Sequence, residues 1–270
     1  MDRYGVFGNP IGHSKSPTIH RAFALQTGQA LTYEAILSPL DEFVASVQQF
    51  VDGGGLGFNI TVPFKEQGFE LVDELTERAA LARAVNTVTV IESGTLRGDN
   101  TDGIGLIRDL TENNEIALRD QVVLLLGAGG AARGVLGPLV ESKPAQIFVA
   151  NRTAQKAADL ASQFVANGFV RGGGLDAVAG VGPFDVIINA TSAGLTDAVP
   201  AIPLTSLRVG GACYDMVYAD TATPFQRWAR AAGAAIALDG LGMLVEQAAE
   251  AFYSWRGVRP ATGPVIAHLR

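Results

Sequence analysis

The chain has 270 residues, 48% of them hydrophobic and 17% charged, enough for two domains or one large one with a sizeable core and too apolar for a disordered chain. A formal charge of −7 with no long run of Lys or Arg argues against a nucleic-acid or polybasic membrane partner, and an anionic substrate would need local positive groups against that overall field. The single cysteine, Cys213, excludes an internal disulfide and a thiol metal cluster, and His13, His20 and His268 show no metal-ligand spacing, so no metal is expected.

The N-terminal MDRYGVFGNP has no basic stretch followed by an apolar run, and no segment reaches the ~18 apolar residues of a spanning helix, so a cytosolic location is expected. Residues 3–8 read as a strand, and 16–28 as a helix with Ser16 at its N-cap and Pro17 at its first position. LTYEAIL at 31–37 alternates as a strand does, and 41–51 is a helix opened by Asp41. GLGFNITV at 55–62 is a strand, followed by helical pieces at 64–69 and 74–82. NTVTVIES at 86–93 alternates again before turning at Gly94 into TLRGDNTDG. From 121, QVVLLL is apolar at nearly every position, the pattern of a parallel strand buried on both faces, and GAGGAARGVLGPLV turns into a helix. Strands follow at 145–153, 184–194 and 212–218, with helices at 154–166, in PFQRWARAAG and in LGMLVEQAAEAFYSW. The alternation of strand and helix, together with 32 glycines clustered at turns, indicates an α/β fold with a dinucleotide domain at about 104–239.

Within LLLGAGGAARGV, Gly127, Gly129 and Ala132 fit G-x-G-x-x-A between a buried strand and a helix. The first glycine permits a tight turn, the second lets backbone approach a pyrophosphate, and the alanine keeps helix and strand close. The helix N-terminus then offers free amides to phosphate oxygens. The same pattern also describes a tight turn with no ligand. After the next strand stands Asn151-Arg152-Thr153, with Lys156 beyond and no carboxylate in the turn. An acid there would accept from the ribose of NAD and repel a 2′-phosphate, whereas Arg152 clamps one and Thr153 can hydrogen-bond it. NADP is therefore expected over NAD. Thr153 as a plain N-cap beside solvated charges is the bland alternative.

The first half carries polar groups at its turns. Ser14 and Ser16 precede a helix, Thr61 and Lys65 follow a strand, Asn86 begins one, and Asp102 stands ahead of the helix that leads into the second domain. Hydroxyls, an amide, an ammonium and a carboxylate at strand ends suit a polyhydroxy acid. Taken singly, each has an ordinary reading: Ser14 or Ser16 as a cap, Thr61 as a strand residue, Lys65 as a solvated lysine, Asn86 and Asp102 as turn formers.

The segments GNPIGHSKSP, NITVPFK, AVNTV, GDNTDG, GAGGAARG, NRT, NATSAG, YDMVY, TPF and GLGMLVEQAAEAF resemble those of shikimate dehydrogenases, in that family's order and spacing, from about residue 4 to 260. The resemblance implies two α/β domains: a substrate domain at 1–103 joined by returning C-terminal helices at 241–270, and a Rossmann-type parallel-sheet NADP domain at 104–240. It implies that Lys65 and Asp102 form the catalytic pair, that Ser14 and Ser16 bind the substrate carboxylate, that Thr61, Asn86 and Gln247 bind ring hydroxyls, and that Tyr218 lies near the substrate. Gly127, Ala128, Gly129, Gly130, Ala131, Asn151, Arg152, Thr153, Lys156, Met216 and Gly240 would line the cofactor, and Glu77 matches a further cofactor-side position in some relatives. The implied reaction is the reversible reduction of 3-dehydroshikimate to shikimate with NADPH, by a monomer or homodimer. Ile60 at the second place of NITVPFK, where many relatives carry Val, and the loop after Thr191 are the departures.

Three other readings remain. A quinate/shikimate dehydrogenase of broader specificity would favour NAD and an acid in place of Arg152. A non-catalytic NADP-binding sensor would keep GAGGAARG and lose the Lys65–Asp102 pair. A methylene-tetrahydrofolate dehydrogenase shares the architecture but not SKSP or GDNTDG.

Overall fold

The computed structural model describes residues 1–191, 199 and 201–270, and the chain divides into two compact units, Met1–Gly105 with Leu244–Leu269, and Leu106–Met243 with Arg270.

The first unit is built on strands β1 (Asp2–Gly8), β2 (Leu31–Leu37), β3 (Gly55–Ile60), β4 (Glu74–Leu75), β5 (Thr87–Val90) and β6 (Leu96–Asp99), in the order β2-β1-β3-β5-β6-β4. β5 runs antiparallel to both its neighbours, and the other pairings are parallel. Alternate residues of β1 face opposite layers, as strand geometry requires. Phe7 joins Phe43, Phe50, Phe58 and Phe64 against helices α2 (Phe43–Asp52) and α3 (Lys65–Leu71), while Tyr4 and Val6 pack with Tyr33 and Trp255. Helix α1 (Ser16–Thr27) puts Ile19 and Phe23 against Val245, Ala248 and Phe252 of α10 (Leu241–Arg256), so the C-terminal segment returns to the first unit. Helix α11 (Gly263–Leu269) adds Val265 to that layer.

The second unit holds β7 (Val122–Leu126), β8 (Gln146–Asn151), β9 (Val170–Gly174), β10 (Phe184–Asn189), β11 (Leu207–Asp215) and β12 (Ile236–Leu238), all paired in parallel, in the order β12-β11-β10-β7-β8-β9. Counted from β7, this is the doubly wound order of a Rossmann domain, with its switch point between β7 and β10. β7 is covered on both faces as its apolar run demands: Val123 and Leu125 enter one core, Leu124 and Leu126 the other. Helices α6 (Gly130–Glu141) and α7 (Ala154–Ser162) follow β7 and β8, the one-turn α8 (Val178–Val181) precedes β10, and α9 (Pro224–Ala231) follows β11 under a capping box of Thr223 and Gln226. No described helix is long and apolar enough to cross a membrane.

Several expected details are corrected. Ser16 is the first helical residue of α1 rather than its cap, and its backbone N–H donates to the Ser14 hydroxyl at 3.3 Å. Asp41 does not open α2, whose cap position is Glu42 with no side-chain bond. Glu74 and Leu75 pair with β6 instead of beginning a helix; helix α4 (Glu77–Ala82) starts after Thr76, whose hydroxyl accepts from the Ala79 N–H. TLRGD contains β6, which pairs with both β5 and β4. The expected strand at 184–194 stops at Asn189, and residues 192–194 lie outside the described residues, as does most of the variable loop that follows.

Candidate active site

The first unit gathers its polar residues where the C-terminal ends of β1, β3 and β6 meet the N-terminal end of the antiparallel β5. After β3, Thr61 donates its N–H to the Phe7 carbonyl at 2.9 Å and its methyl lies beside Gly8, where an added Cβ would come within 2.5 Å. Lys65 opens α3, and its backbone carbonyl accepts from the Val85 N–H at 2.9 Å, which ties the lysine's turn to the entry of β5. After β6 the chain turns through Asn100 and Thr101 into α5 (Asp102–Arg108), so Asp102 is the first residue of its helix.

These turns bring Lys65 and Asp102, 37 positions apart, to 2.5 Å between Nζ and Oδ2. The lysine side chain is 24% exposed and the aspartate 8%, so the pair is shielded but reachable. Asn86 Nδ2 donates to the other Asp102 oxygen at 2.8 Å and lies 3.4 Å from Gln247 Oε1. Asn86 Oδ1 in turn accepts from the Thr101 N–H at 2.9 Å and the Thr87 hydroxyl at 2.8 Å. Gln247 is anchored by its own Nε2, which donates to the Leu244 carbonyl at 2.8 Å. A charged pair with its second carboxylate oxygen already bonded has one orientation. Lys65, Asn86, Asp102 and Gln247 thus form one bonded group, in which Asn86 is the hub.

The other expected substrate residues stand differently. Ser14 and Ser16 lie at the start of α1, Ser14 half-buried and Ser16 buried beside Tyr33, and among the described residues no hydrogen bond joins them or Thr61 to that group. Tyr218 belongs to the second unit, just past β11, where burial and then the Asp220 charge push its phenol up. Sequence reasoning missed Thr101, fully buried and bonded to Asn86, and Asn59, whose Nδ2 donates to the Asn86 carbonyl at 3.0 Å and whose Oδ1 accepts from Tyr33 at 2.7 Å. An asparagine inside the otherwise apolar GLGFNI was the available signal, since a polar side chain inside such a strand needs partners.

In the second unit the glycine turn has the geometry its motif requires. Gly127 adopts φ +112°, and a Cβ there would lie 3.0 Å from the Ala190 carbonyl oxygen. Around Gly129 an added Cβ would meet nothing within 4 Å, so the backbone faces open space at the start of α6, which has no acidic residue in its first turn. Ala128 is buried, while Gly130 and Ala131 begin the helix. Arg152, Thr153 and Lys156 are exposed, and neither cation has an ion-pair partner among the described residues. Thr153 stands at the cap position of α7 but makes no side-chain cap bond; the Asn151 amide donates to its carbonyl at 3.1 Å. Met216 N donates to Asn189 O at 2.9 Å, and Gly240 packs so closely on Met216 that a Cβ would lie 2.3 Å from its carbonyl oxygen. Below them Asp215 accepts from Thr223 at 2.6 Å and Asn189 at 3.0 Å; burial pushes its carboxyl up, and those bonds only partly offset this. Open amides at a helix start with unpaired cations after the second strand suit a dinucleotide carrying a 2′-phosphate. Glu77 opens α4 in the first unit. No group of acidic, histidine or cysteine side chains suited to a metal occurs among the described residues.

Comparison with known proteins supplies the family. The model of the shikimate dehydrogenase substrate binding domain matches residues 6–88, that of shikimate/quinate 5-dehydrogenase 109–199, and that of the shikimate 5′-dehydrogenase C-terminal domain 240–270. A shikimate dehydrogenase (NADP(+)) of Alkalilimnicola ehrlichii is 57% identical across 100% of this chain and 98% of its own. A solved Ael1 enzyme of Pseudomonas putida has TM-score 0.92 at 48% identity, covering 100% of this chain and 98% of that one. A shikimate 5-dehydrogenase of Thermus thermophilus, solved in complex with NADP(H) and shikimate, has TM-score 0.88 at 34% identity, covering 99% and 98%.

Proposed function

Because the chain belongs to the shikimate dehydrogenase family and is an NADP-dependent oxidoreductase acting on shikimate, we propose that Lys65 and Asp102 are the pair that moves the proton in that reaction. The reaction is the reversible reduction of 3-dehydroshikimate to shikimate, a step toward the aromatic amino acids. The observation that carries the residue assignment is the 2.5 Å contact between Lys65 Nζ and Asp102 Oδ2, with Asn86 fixing the other carboxylate oxygen.

NADPH, when bound, supplies the hydride that reduces the ring ketone at its carbonyl carbon. The Lys65 ammonium stabilises the negative charge that develops on the ketone oxygen and gives that oxygen its proton, and takes it back in the oxidative direction. Asp102 orients the lysine and accepts from a ring hydroxyl. Asn86 and Gln247 bind neighbouring hydroxyls, since both are held by bonds within the first unit and present amides of fixed orientation. Thr61 contributes a further hydroxyl at the end of β3, and Ser14 and Ser16 receive the substrate carboxylate at the start of α1. Gly127 to Ala131 would hold the pyrophosphate and Asn151 to Lys156 the adenosine end, with Arg152 clamping the 2′-phosphate; Met216 and Gly240 are assigned to the cofactor and Tyr218 to the substrate. Glu77 is assigned a cofactor-side place. The first unit is thereby the substrate domain and the second the NADP domain. The enzyme is proposed to act in the cytosol as a monomer or homodimer, without a nucleic-acid or membrane partner.

Absorbance of the reduced cofactor tests this reading. NADP should be reduced in the presence of shikimate, much more slowly with quinate, and not in a blank, and NAD should serve poorly. Reduction of NAD with quinate at the shikimate rate would support the broader quinate/shikimate reading instead.

A further inference from the structure

Asp99, the last residue of β6, is 8% exposed and its carboxylate is saturated. Oδ1 accepts from the Thr76 hydroxyl at 2.6 Å, from Arg78 Nε at 2.6 Å and from the backbone N–H of Asn100 at 2.7 Å, and Oδ2 takes a second guanidinium nitrogen of Arg78. Burial pushes this carboxyl up, but the bonds and charge of Arg78 outweigh it and hold it below the usual carboxylate range. Arg78 reaches on to Glu250 Oε1 at 3.4 Å, and Glu250 Oε2 accepts from Arg259 at 2.6 Å. Glu250 stands three residues after Gln247 on α10, one turn along the same face. Beyond Asp99 the chain leaves the sheet ladder, and side chains accept the N–H groups of the next three residues, while the Thr101 carbonyl takes the Gly105 N–H of α5 at 3.0 Å. Asn100 Oδ1 accepts from the Asp102 N–H at 3.2 Å, Asn100 Nδ2 donates to the Ala84 carbonyl at 3.0 Å, and the Thr101 N–H donates to Asn86.

We propose that Asp99 is a positioning residue for Asp102: gripped by Arg78 against Glu250, its carboxylate holds the turn 99–102 in the one conformation that delivers Asp102 to Lys65. The proposal rests on the reading of Lys65 and Asp102 as the catalytic pair. Asp99 itself touches no reacting atom. Its effect is geometric, and a displacement of about 1 Å at the reacting groups can cost about 100-fold in rate. The bidentate fork of Arg78 is the part that a lysine cannot reproduce.

The test uses the full chain with Asp99→Asn, which keeps the shape and one acceptor and removes the charge. Turnover should fall about 10- to 100-fold with the KM for NADP unchanged. The isotope effect with NADPH deuterated at the transferred position should rise as chemistry becomes slower. In the ligand-free protein the amides of Asn100, Thr101 and Asp102 should exchange with solvent faster, while those of α1 stay protected. Arg78→Lys should show the same changes at smaller size, and it decides the matter if Asp99→Asn does not fold. A folded variant with the parent's turnover, isotope effect and exchange at 100–102 would overturn the proposal. Asp102→Asn serves as the control: parent turnover in that variant would remove the catalytic pair and this proposal with it, whereas a severe loss there beside normal Asp99 and Arg78 variants would sink the positioning role alone.

Discussion

At the scale of single residues, charge placement governs what can be measured. Arg152 is exposed, has no ion-pair partner among the described residues, and stands where NAD enzymes carry an acid. A charge-assisted hydrogen bond is worth about 1.5–3 kcal/mol, so Arg152→Ala should raise the KM for NADP by about 10- to 100-fold and leave the weak use of NAD untouched. Equal losses with both cofactors would show that Arg152 does not read the phosphate. His20 makes the opposite case, a titratable group sealed in the core. It stacks on Tyr33 at 4.1 Å among Phe23, Phe252 and Trp255, and neither ring nitrogen completes a hydrogen bond, although Asn59 lies near enough to raise its pKa slightly. Burial drives that pKa from 6.5 down to about 3. Between those values the unfolded chain binds a proton that the folded chain refuses, so stability is lost as pH falls through the window, by up to about 1.4 kcal/mol per pH unit. His20→Phe should flatten that part of a urea-unfolding series against pH; an unchanged slope would mean the imidazole is charged or hydrated in the fold. Neither His20 nor the Asn86 hub was legible as such in the sequence. Lys65, Asn86 and Asp102 could be picked out as polar residues at turns, but positions 37 apart meet only through the crossover of β5 between β3 and β6, which family resemblance conveyed and spacing did not.

Elements show which local signals were strong. The glycine turn after β7 was readable because a Gly-only conformation and an apolar strand leave marks in residue type. The two glycines do different work, and substitution should separate them. Gly127→Ala puts a methyl 3.0 Å from a carbonyl at φ +112°, so the fold should lose about 1–3 kcal/mol in urea unfolding. Gly129→Val meets open space, so stability should hold while NADP affinity measured by calorimetry collapses. Normal NADP binding by Gly129→Val would remove the pyrophosphate from that turn. The elements that sequence reading missed are short or glycine-rich: β6 within LRGD, β9 in VRGGG, the two-residue β4 and the three-residue β12. Such segments lack the side chains that make a period of two visible, and they exist because a neighbouring strand offers a ladder. Ser16 and Asp41 were misassigned as helix caps for a similar reason, since a residue type favoured at caps says nothing of whether its oxygen turns inward.

At the scale of the whole molecule, the alternation of strands and helices disclosed the α/β class, and the continuous apolar run of β7 disclosed a sheet covered on both faces. The return of α10 to the first unit was not visible in its periodicity, because a helix of 16 residues with one apolar stripe fits many partners. The structure shows why the return matters: Val245, Ala248, Ala249 and Phe252 are fully buried and cover Ile19 and Phe23. A chain ending at Met243 should therefore lose shikimate binding and cooperative unfolding of the first unit while the NADP-binding turn survives. Retained shikimate affinity in that truncation would mean the first unit closes its core without α10. In the proposed mechanism one lysine, oriented by one buried carboxylate, carries the proton transfer. The rate of shikimate-dependent NADP reduction by Lys65→Ala, beside the parent and with circular dichroism showing both folded, tests it most directly. That rate should fall at least about 100-fold with NADP affinity retained, and a folded variant that loses only a few-fold would take the proton transfer away from Lys65.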